Sequence, residues 1–389
     1  MNHDELKSLD RKTILGTYAR SDVSIVWGRG AVCRSDDGKR YIDFTSGIGV
    51  NALGYCDPGW VEAVSRQAAA LQHTSNLYYT EPCARLAERL TARTGLSKVF
   101  FCNSGAEANE GAIKAARKYG LEKHGAVRPE IVTLENSFHG RTMATVSATG
   151  QESFHKFFSP FLDGFVYTPA NDAQKLRDAV NESTCAVMIE LVQGEGGVIA
   201  LDAGFVREVA SLCVERDILL VVDEVQTGVG RTGKFYAYEY FDVTPDIVTT
   251  AKALGGGLPI GAILFGKKCD AILGPGEHGS TFGGNPVVCA GGEVILDRMD
   301  ESFLKDVRRK AAYITEELLK IPAVKAVSGL GLMIGIAIEG RNAKDVVAEC
   351  AEKGLLILTA KEKLRLLPPL NISEEELEEG LSILRDTLR

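Results

Sequence analysis

The chain has 389 residues and nine cysteines, but no two cysteines have a C-x-x-C spacing. That spacing is typical of zinc and redox motifs, and the scattered cysteines do not form the regular set of a disulfide scaffold. Histidine is also rare, with six residues, no H-x-x-x-H pair and no cluster with Asp. We therefore predict a protein of a reducing compartment that holds no metal ion.

Long apolar runs and basic blocks are absent as well. No stretch approaches the roughly 20 apolar residues that a membrane span needs. The net charge of −8 and the pI near 5.5 argue against a nucleic-acid-binding protein. The first residues, MNHDELKSLDRK, are charged and lack the apolar centre of a signal peptide. The sequence thus predicts a cytoplasmic protein that binds neither membranes nor nucleic acid.

The composition that is present is that of a globular protein, with 45% hydrophobic and 25% charged residues. A chain of this length is expected to form a large core and two domains. Strand and helix patterns alternate through its middle, which predicts an α/β domain with a mostly parallel sheet. We place this large domain at residues 51–275, an N-terminal arm at 1–50, and a connecting helix and smaller α+β domain at 276–389.

Two short apolar runs in the middle of the chain end next to residues that carry chemistry. Ile218–Val222 is followed by Asp223, and Ile247–Val248 leads through two threonines and an alanine to Lys252. Such runs are typical of strands buried on both faces of a parallel sheet. Ligands of these sheets bind at the carboxyl ends of the strands. We therefore expect Asp223 and Lys252 to face one site.

A third predicted strand, Lys98–Cys102, leads into a helix through Ser104, Gly105 and Ala106. Serine suits a helix N-cap, and small residues let a ligand approach the backbone. The free N–H groups and the dipole of a helix start favour an anion such as phosphate. An ordinary capped turn would have the same sequence, so this feature alone does not decide between the two interpretations.

Pyridoxal 5′-phosphate (PLP) requires a lysine that forms a Schiff base with its aldehyde and a carboxylate beside its pyridine nitrogen. It also requires an anion site for its phosphate and an aromatic side chain against its ring. Lys252, Asp223, the Ser104 turn and Phe138 supply these parts, each after a predicted strand. Because four complementary parts are expected at one edge of one sheet, we predict a PLP enzyme.

A competing motif is present at Gly228–Gly233, where GVGRTG matches the G-x-G-x-x-G pattern of dinucleotide-binding folds. It leaves a nicotinamide-dependent oxidoreductase as a distant alternative. Such a motif must open a helix. The segment that follows, Lys234–Phe241, is aromatic and has no helical face.

Extended stretches of the chain resemble the class III (subgroup II) PLP-dependent aminotransferases of fold type I. The resemblance covers nearly the whole chain and rests on TYAR (17–20), SNLYY (75–79), FFCNSGAEANEGAIKAARKY (100–119), FHGRT (138–142), QGEGG (193–197), DEVQTGVGRTG (223–233), TTAKALGGGLPIGA (249–262), HGSTFGGNP (278–286) and LRLLPPL (364–370). It implies a large domain with a seven-stranded, mostly parallel sheet between helices, and a small domain formed by the chain ends.

The resemblance also implies which residues hold the cofactor. Lys252 would form the Schiff base and move protons, and Asp223 would pair with the pyridinium nitrogen. The other implied cofactor contacts are Ser104, Gly105 and Ala106 at the phosphate, Phe138 and Val225 on the two ring faces, Gln226 near the phenolic oxygen, and Thr281, from the neighbouring subunit of a homodimer, at the phosphate.

The implied substrate contacts are Arg141 for the carboxylate of an acyl-ornithine, Arg365 for the α-carboxylate of glutamate or 2-oxoglutarate, Glu195, Ser280 from the neighbouring subunit, and Tyr18. Glu195 would pair with Arg365 whenever the other substrate is bound. A guanidinium binds a carboxylate in bidentate fashion but is left desolvated beside a neutral group. A carboxylate that pairs with it and then releases it lets two different substrates share one pocket.

Within the family, the combination of SNLYY, HGSTFGGNP and LRLLPPL is most similar to members that act on N-acetylornithine. The implied reaction moves the δ-amino group of N2-acetyl-L-ornithine to 2-oxoglutarate by a ping-pong mechanism, in arginine biosynthesis. Succinylornithine, succinyl-diaminopimelate, ornithine and 4-aminobutyrate remain alternative amino donors. A PLP-dependent isomerase or decarboxylase on the same fold is a further alternative.

Two departures from the family pattern concern this site. Gly111 stands where the family commonly has Ala, which predicts a small loss of helix stability. The run AKEK at 360–363 replaces a small, Gly-containing run before the strand of Arg365. We expect that loop to influence the choice of substrate.

Overall fold

The computed structural model describes residues 1–125 and 129–389. The helices are α1 (His3–Thr13), α2 (Ser46–Gly49), α3 (Pro58–Ala70), α4 (Glu81–Thr94), α5 (Gly105–His124), α6 (Met143–Ala148), α7 (Ala173–Ala179), α8 (Ala203–Glu215), α9 (Pro286–Arg298), α10 (Glu301–Leu319), α11 (Ala343–Glu352) and α12 (Glu374–Thr387). The strands are β1 (Ile25–Arg29), β2 (Val32–Ser35), β3 (Arg40–Asp43), β4 (Lys98–Cys102), β5 (Glu130–Leu134), β6 (Phe165–Thr168), β7 (Thr184–Ile189), β8 (Val192–Gln193), β9 (Ile199–Ala200), β10 (Leu219–Asp223), β11 (Ile247–Thr250), β12 (Gly261–Phe265), β13 (Val324–Leu330), β14 (Met333–Ile338), β15 (Leu355–Leu356), β16 (Leu358–Ala360) and β17 (Lys363–Leu366).

The largest sheet has seven strands in the order β4-β12-β11-β10-β7-β5-β6. Neighbours from β11 through β6 pair in parallel, whereas β12 is antiparallel to both β11 and β4. Every residue of β7, β10, β11 and β12 is buried, as expected for strands covered on both faces. The predicted α/β fold with a mostly parallel sheet is confirmed.

The chain ends build the remaining larger sheets. β1, β2 and β3 form a sheet with β15, in which Leu355 is paired with Ile42, so residues far apart in sequence share one sheet. A second sheet has the order β13-β14-β17-β16. One continuous apolar core contains Val222 of the large sheet and Leu364 of β17. That shared core fixes the strand of Arg365 relative to the strand of Asp223. In the described part of the chain, no helix is both long and apolar enough to cross a bilayer.

Gly111 in the middle of α5 is a point of close contact between elements. A Cβ atom there would lie 2.3 Å from Ile263 Cδ1 of β12 and 2.9 Å from His278 Nε2. His278 also contacts α5 through Lys114, whose Nζ lies 3.2 Å from His278 Nδ1. The glycine thus leaves room for β12 and for the loop that carries Ser280, and its cost to helix stability has a structural reason.

We predict that Gly111→Ala destabilises the protein by about 1–3 kcal/mol, because the added methyl group overpacks the contact with Ile263 and His278. Urea denaturation measures this change. Gly204→Ala in α8 is the matched control, since nothing lies within 4 Å of its added Cβ. That variant should be neutral or more stable by up to about 1 kcal/mol. Equal effects of the two substitutions would contradict the prediction.

Candidate active site

The segments at the carboxyl ends of five large-sheet strands, β4, β5, β7, β10 and β11, meet at one cavity of about 460 Å³. β10 ends at Asp223 and β11 leads to Lys252, in neighbouring parallel strands where Asp223 is paired with Thr249. The cavity is lined by residues from seven segments of the chain: Val50, Asn103, Ser104, Gly105, Ala106, Asn109, Phe138, His139, Gly140, Arg141, Glu190, Asp223, Val225, Gln226, Ala251, Lys252, Gly257, Leu258, Pro259 and Ile260.

The Asp223 carboxylate is buried and receives hydrogen bonds on both oxygens. Asn109 Nδ2 donates to Oδ2 at 2.8 Å, and His139 Nδ1 lies 2.8 Å from the same oxygen. The Val225 N–H donates to Oδ1 at 3.0 Å. Hydrogen bonds to the ionised form are what keep a buried carboxylate charged. The arrangement therefore presents a fixed negative charge to the cavity.

The turn between β4 and α5 offers free backbone donors to the same cavity. Ser104 is the N-cap of α5, and its Oγ accepts from the Glu107 N–H at 3.2 Å. The N–H groups of Gly105 and Ala106 have no hydrogen-bond partner among the described residues. Unpaired N–H groups at the start of a 20-residue helix are a general site for a phosphate group.

Two apolar side chains face the cavity near this turn. Phe138 packs against Phe154 with ring centroids 5.3 Å apart, and the guanidinium of Arg141 lies 5.1 Å from the Phe138 centroid. Val225 lies against Gly105, where an added Cβ would come within 2.6 Å of Val225 Cγ1. Gly105 therefore lets Val225 reach the cavity wall. A flat ring could be held between these two side chains.

Lys252 begins a short 3₁₀ turn with a φ of +38°, a conformation that non-glycine residues rarely adopt. Strain of this kind is found at functional sites, where the surrounding structure enforces it. Its side chain lines the cavity, and burial lowers the pKa of the amine from its ordinary value, while Asp223 opposes the shift. A lysine with a lowered pKa is a better nucleophile and proton acceptor at neutral pH.

A buried guanidinium stands beside the cavity and is paired with a carboxylate. Arg365 on β17 is only 4% exposed, and its Nη1 lies 2.6 Å from Glu195 Oε1. Gln226 Oε1 lies 3.4 Å from the same nitrogen, whereas Arg365 Nε has no partner among the described residues. The pair brings the small C-terminal sheet into contact with the large sheet. An unpaired Nε leaves one donor available to a ligand.

Five of the predicted site residues do not line this cavity in the single chain: Arg365 and Glu195, which form the pair beside it, and Ser280, Thr281 and Tyr18. Ser280 Oγ accepts from Asn103 Nδ2 at 3.1 Å, and Thr281 is exposed. Tyr18 is 70% exposed and lines a separate hollow of about 810 Å³ between α1 and residues 14–25. That hollow is larger, but its lining is mostly exposed side chains of the N-terminal arm. We place the site at the sheet edge, where buried charged groups converge.

Sequence reasoning missed Asn109, His139 and Glu190. Asn109 is one helical turn (i, i+4) after Gly105 on α5, so helical spacing from Gly105 could have found it. His139 follows Phe138 in the segment after β5, and its Nδ1 hydrogen-bonds Asp223 inside the site. Glu190 directly follows β7 and lines the cavity. Its position at a strand end was the available signal.

The residues present fit PLP. The free N–H groups at the start of α5 suit the phosphate, and the charged, hydrogen-bonded Asp223 suits a protonated pyridine nitrogen. Phe138 and Val225 suit the two faces of a ring, and Lys252 suits an aldehyde. Within residues 1–125 and 129–389 there is no group of three side chains that could hold a metal ion.

Comparison with known proteins agrees with this fit. The model of the family "Aminotransferase class-III" matches residues 17–388. The chain belongs to the class-III aminotransferase family. Members of this family are PLP-dependent, and the chain is a PLP-dependent aminotransferase. The glycine motif at 228–233 is followed by a 3₁₀ turn, Ala237–Tyr240, rather than by the helix that dinucleotide binding requires.

Individual relatives support the assignment over the full length. The chain is 53% identical over 391 residues to the acetylornithine aminotransferase of Haemophilus ducreyi, covering 100% of this chain and 99% of that protein. The N-acetylornithine aminotransferase of Stenotrophomonas maltophilia K279a has a TM-score of 0.85 at 37% identity, with 98% and 97% coverage. The ornithine aminotransferase of Toxoplasma gondii, described with PLP at its active site, has a TM-score of 0.94 at 31% identity, with 99% and 94% coverage.

The residue after Asp223 gives a pH-dependent prediction. Glu224 is fully buried, and burial raises its pKa from 4.5 to about 7. The folded chain then holds this proton more tightly than the unfolded chain. The resulting stability is complete below pH 4.5 and is lost as pH rises through 7.

We therefore expect the unfolding free energy of the natural chain to fall by about 3 kcal/mol between pH 4 and 8 relative to Glu224→Gln. Glutamine can still accept from the Tyr238 N–H, so the variant keeps that contact. Urea denaturation across this pH range measures the difference. Parallel pH profiles for the two proteins would show that Glu224 does not titrate as stated.

Proposed function

We propose that this enzyme transfers the δ-amino group of N2-acetyl-L-ornithine to 2-oxoglutarate, giving N-acetyl-L-glutamate 5-semialdehyde and L-glutamate, in arginine biosynthesis. The observation that carries the proposal is the ion pair between buried Arg365 and partly exposed Glu195, beside a cavity with a strained lysine. Such a pair suits an enzyme that binds a dicarboxylate in one half-reaction and a less charged substrate end in the other. The names of the relatives support N-acetylornithine as the donor.

When bound, PLP supplies an aldehyde that condenses with amines and a pyridine ring that draws electrons from the substrate carbon bearing the amine. Asp223 holds a proton at the ring nitrogen, because its charge is fixed by the N–H groups of Asn109, His139 and Val225. Lys252 Nζ takes the proton from the carbon that bears the substrate amine, since burial lowers its pKa.

Substrate recognition rests on two guanidinium groups. Arg141 lies beside the rings of Phe138 and Phe154 and is exposed toward the cavity mouth, where it can bind the α-carboxylate of an acyl-ornithine. Arg365 binds the α-carboxylate of glutamate or 2-oxoglutarate once Glu195 has moved away. With the acyl-ornithine bound, Glu195 returns to Arg365 and satisfies its buried charge.

The proposed enzyme is a cytoplasmic homodimer with shared active sites. Large apolar side chains are exposed on two segments. The segment before α4 exposes Leu77, Tyr78 and Tyr79, and the segment of Thr281 exposes Phe282. Asn76 ties the two segments together by donating to the carbonyls of Ser280 and Gly283. A second copy that covers this surface would bring Ser280 and Thr281 to the neighbouring cavity. We assign Tyr18 to the substrate site because TYAR at 17–20 resembles the family pattern. The proposed domains are the arm at 1–50, the PLP-binding domain at 51–275 and the small domain at 276–389.

The function is tested by single half-reactions of the PLP-loaded enzyme with a panel of amines. We expect N-acetylornithine to convert the bound cofactor to its amine form, seen as loss of visible absorption, at least tenfold faster than ornithine, 4-aminobutyrate or succinyl-diaminopimelate. Lys252→Ala should reduce this rate by about 10³-fold or more, since the proton acceptor is lost. Faster conversion by ornithine would favour the activity of the T. gondii neighbour instead. Full turnover by Lys252→Ala would contradict the mechanism.

The Arg365–Glu195 pair gives a separate prediction. Glu195→Gln leaves Arg365 buried without its counter-charge when the acyl-ornithine binds. We expect kcat/KM for the acyl-ornithine half-reaction to fall about tenfold or more, and that for 2-oxoglutarate to stay level or rise. Arg365→Gln should instead lower kcat/KM for the 2-oxoglutarate half-reaction by about 100-fold, because the carboxylate loses its bidentate partner. A uniform loss in both half-reactions of Glu195→Gln would refute the exchange of partners.

A further inference from the structure

Glu190 is a buried carboxyl group of the site that the mechanism above does not use. It follows the last residue of β7, and β7 pairs in parallel with β10 so that Ile189 is level with Val222. Glu190 is therefore level with Asp223, on strands that lie about 4.8 Å apart. It is only 6% exposed, and that exposure is to the cavity that it lines. Two carboxyl groups thus stand side by side at the sheet edge.

The two groups have unequal hydrogen bonding. Asp223 accepts from Asn109, His139 and Val225. Glu190 accepts one hydrogen bond, from the Phe138 N–H to Oε2 at 2.8 Å. Its other oxygen has no partner among the described residues and is open to the cavity. Two adjacent buried carboxylates cannot both be charged without a large cost, and the one that accepts more hydrogen bonds keeps the charge.

The charges around Glu190 also favour its protonated form. Burial, and then the charge of Asp223, raise its pKa well above the ordinary value. Glu195 adds to the increase, whereas the Phe138 N–H and Lys252 oppose it without cancelling it. The protonated acid has one O–H to donate, and the cavity is where an acceptor would be found.

We propose that Glu190 is a positioning residue of the cofactor site: as the neutral acid it holds Phe138 in place through the Phe138 amide, donates its O–H into the cavity, and leaves the negative charge to Asp223. Phe138 is the aromatic residue at the ring, so its backbone anchor sets how the ring is held. The inference rests on the proposed function, because it assumes that PLP occupies this cavity.

Three variants separate this role from a merely structural one. Glu190→Gln keeps an acceptor for the Phe138 N–H and a donor toward the cavity, and it has the charge of the neutral acid. Glu190→Ala removes both. Glu135→Gln is the control, since Glu135 is an exposed glutamate at the end of the neighbouring strand β5 and makes no side-chain hydrogen bond among the described residues.

The readouts are the dissociation constant of PLP from the apo-protein and the pH midpoint of the bound cofactor's visible absorption. Glu190→Gln should change affinity by less than about threefold and shift the midpoint by less than about 0.3 pH units, because no charge is removed. Glu190→Ala should weaken PLP by about tenfold or more, since the Phe138 N–H is left unpaired. The control should match the natural protein in both.

Two results would overturn the inference. A midpoint shift of about one unit or more in Glu190→Gln would show that Glu190 is charged. Equal affinities of Glu190→Ala and the natural protein would show that the anchor does not position the cofactor. If the natural protein itself takes up no PLP, the proposed function fails instead. PLP binding by the natural protein therefore distinguishes failure of the proposed function from failure of the inference about Glu190.

Discussion

The buried carboxylate of Asp223 is the group on which the rest of the site depends. Burying an ionised carboxylate costs several kcal/mol unless its oxygens are satisfied. Three donors satisfy this carboxylate: Asn109 of α5, His139 in the segment after β5, and the backbone N–H of Val225, two residues after Asp223. The charge therefore fixes the first turns of α5 and the loop of Phe138 relative to β10. Because the anion turn and the ring-facing phenylalanine lie on those two segments, one charge aligns three parts of the site.

The second constraint is the contact between the large sheet and the sheet built from the chain end. Arg365 is on β17, whereas its partners Glu195 and Gln226 lie on the segments that follow β8 and β10. A buried guanidinium must keep a partner. The pair therefore adds little to the stability of the fold, but it fixes the position of β17 relative to the segments that carry Glu195 and Gln226. The shared apolar core under β17 holds the arginine in register, while the half-exposed Glu195 has room to move.

Local patterns predicted those features that depend on neighbours in sequence. Five of the seven large-sheet strands follow from apolar runs in the sequence, at Lys98–Cys102, Ile131–Glu135, Ala186–Glu190, Ile218–Val222 and Ile247–Val248. The Ser104 cap and the positions of Asp223 and Lys252 followed from strand ends. Two strands were missed. β6 is an edge strand with Tyr167 exposed, so it lacks a continuous buried pattern. β12 is a buried apolar run, but the glycines and the proline that precede it are typical of a loop and hide it. Local spacing places Asn109, His139 and Glu190 near the site, but their hydrogen bonds span 30 to 114 positions, so no periodicity predicts their partners.

Backbone similarity does not decide the substrate. The ornithine enzyme superposes with a TM-score of 0.94 at 31% identity, whereas an N-acetylornithine enzyme has 0.85 at 37%. Both reactions need the same lysine, carboxylate and anion turn, so a conserved frame is expected whichever amine is used. Selectivity must then come from side chains at the rim. One is Lys361, in the hairpin before Arg365, which has a φ of +53° and donates to Asn136 Oδ1. Since Asn136 lies two residues before Phe138, this contact links the arginine hairpin to the aromatic wall, where a difference of one side chain can change which substrate end fits.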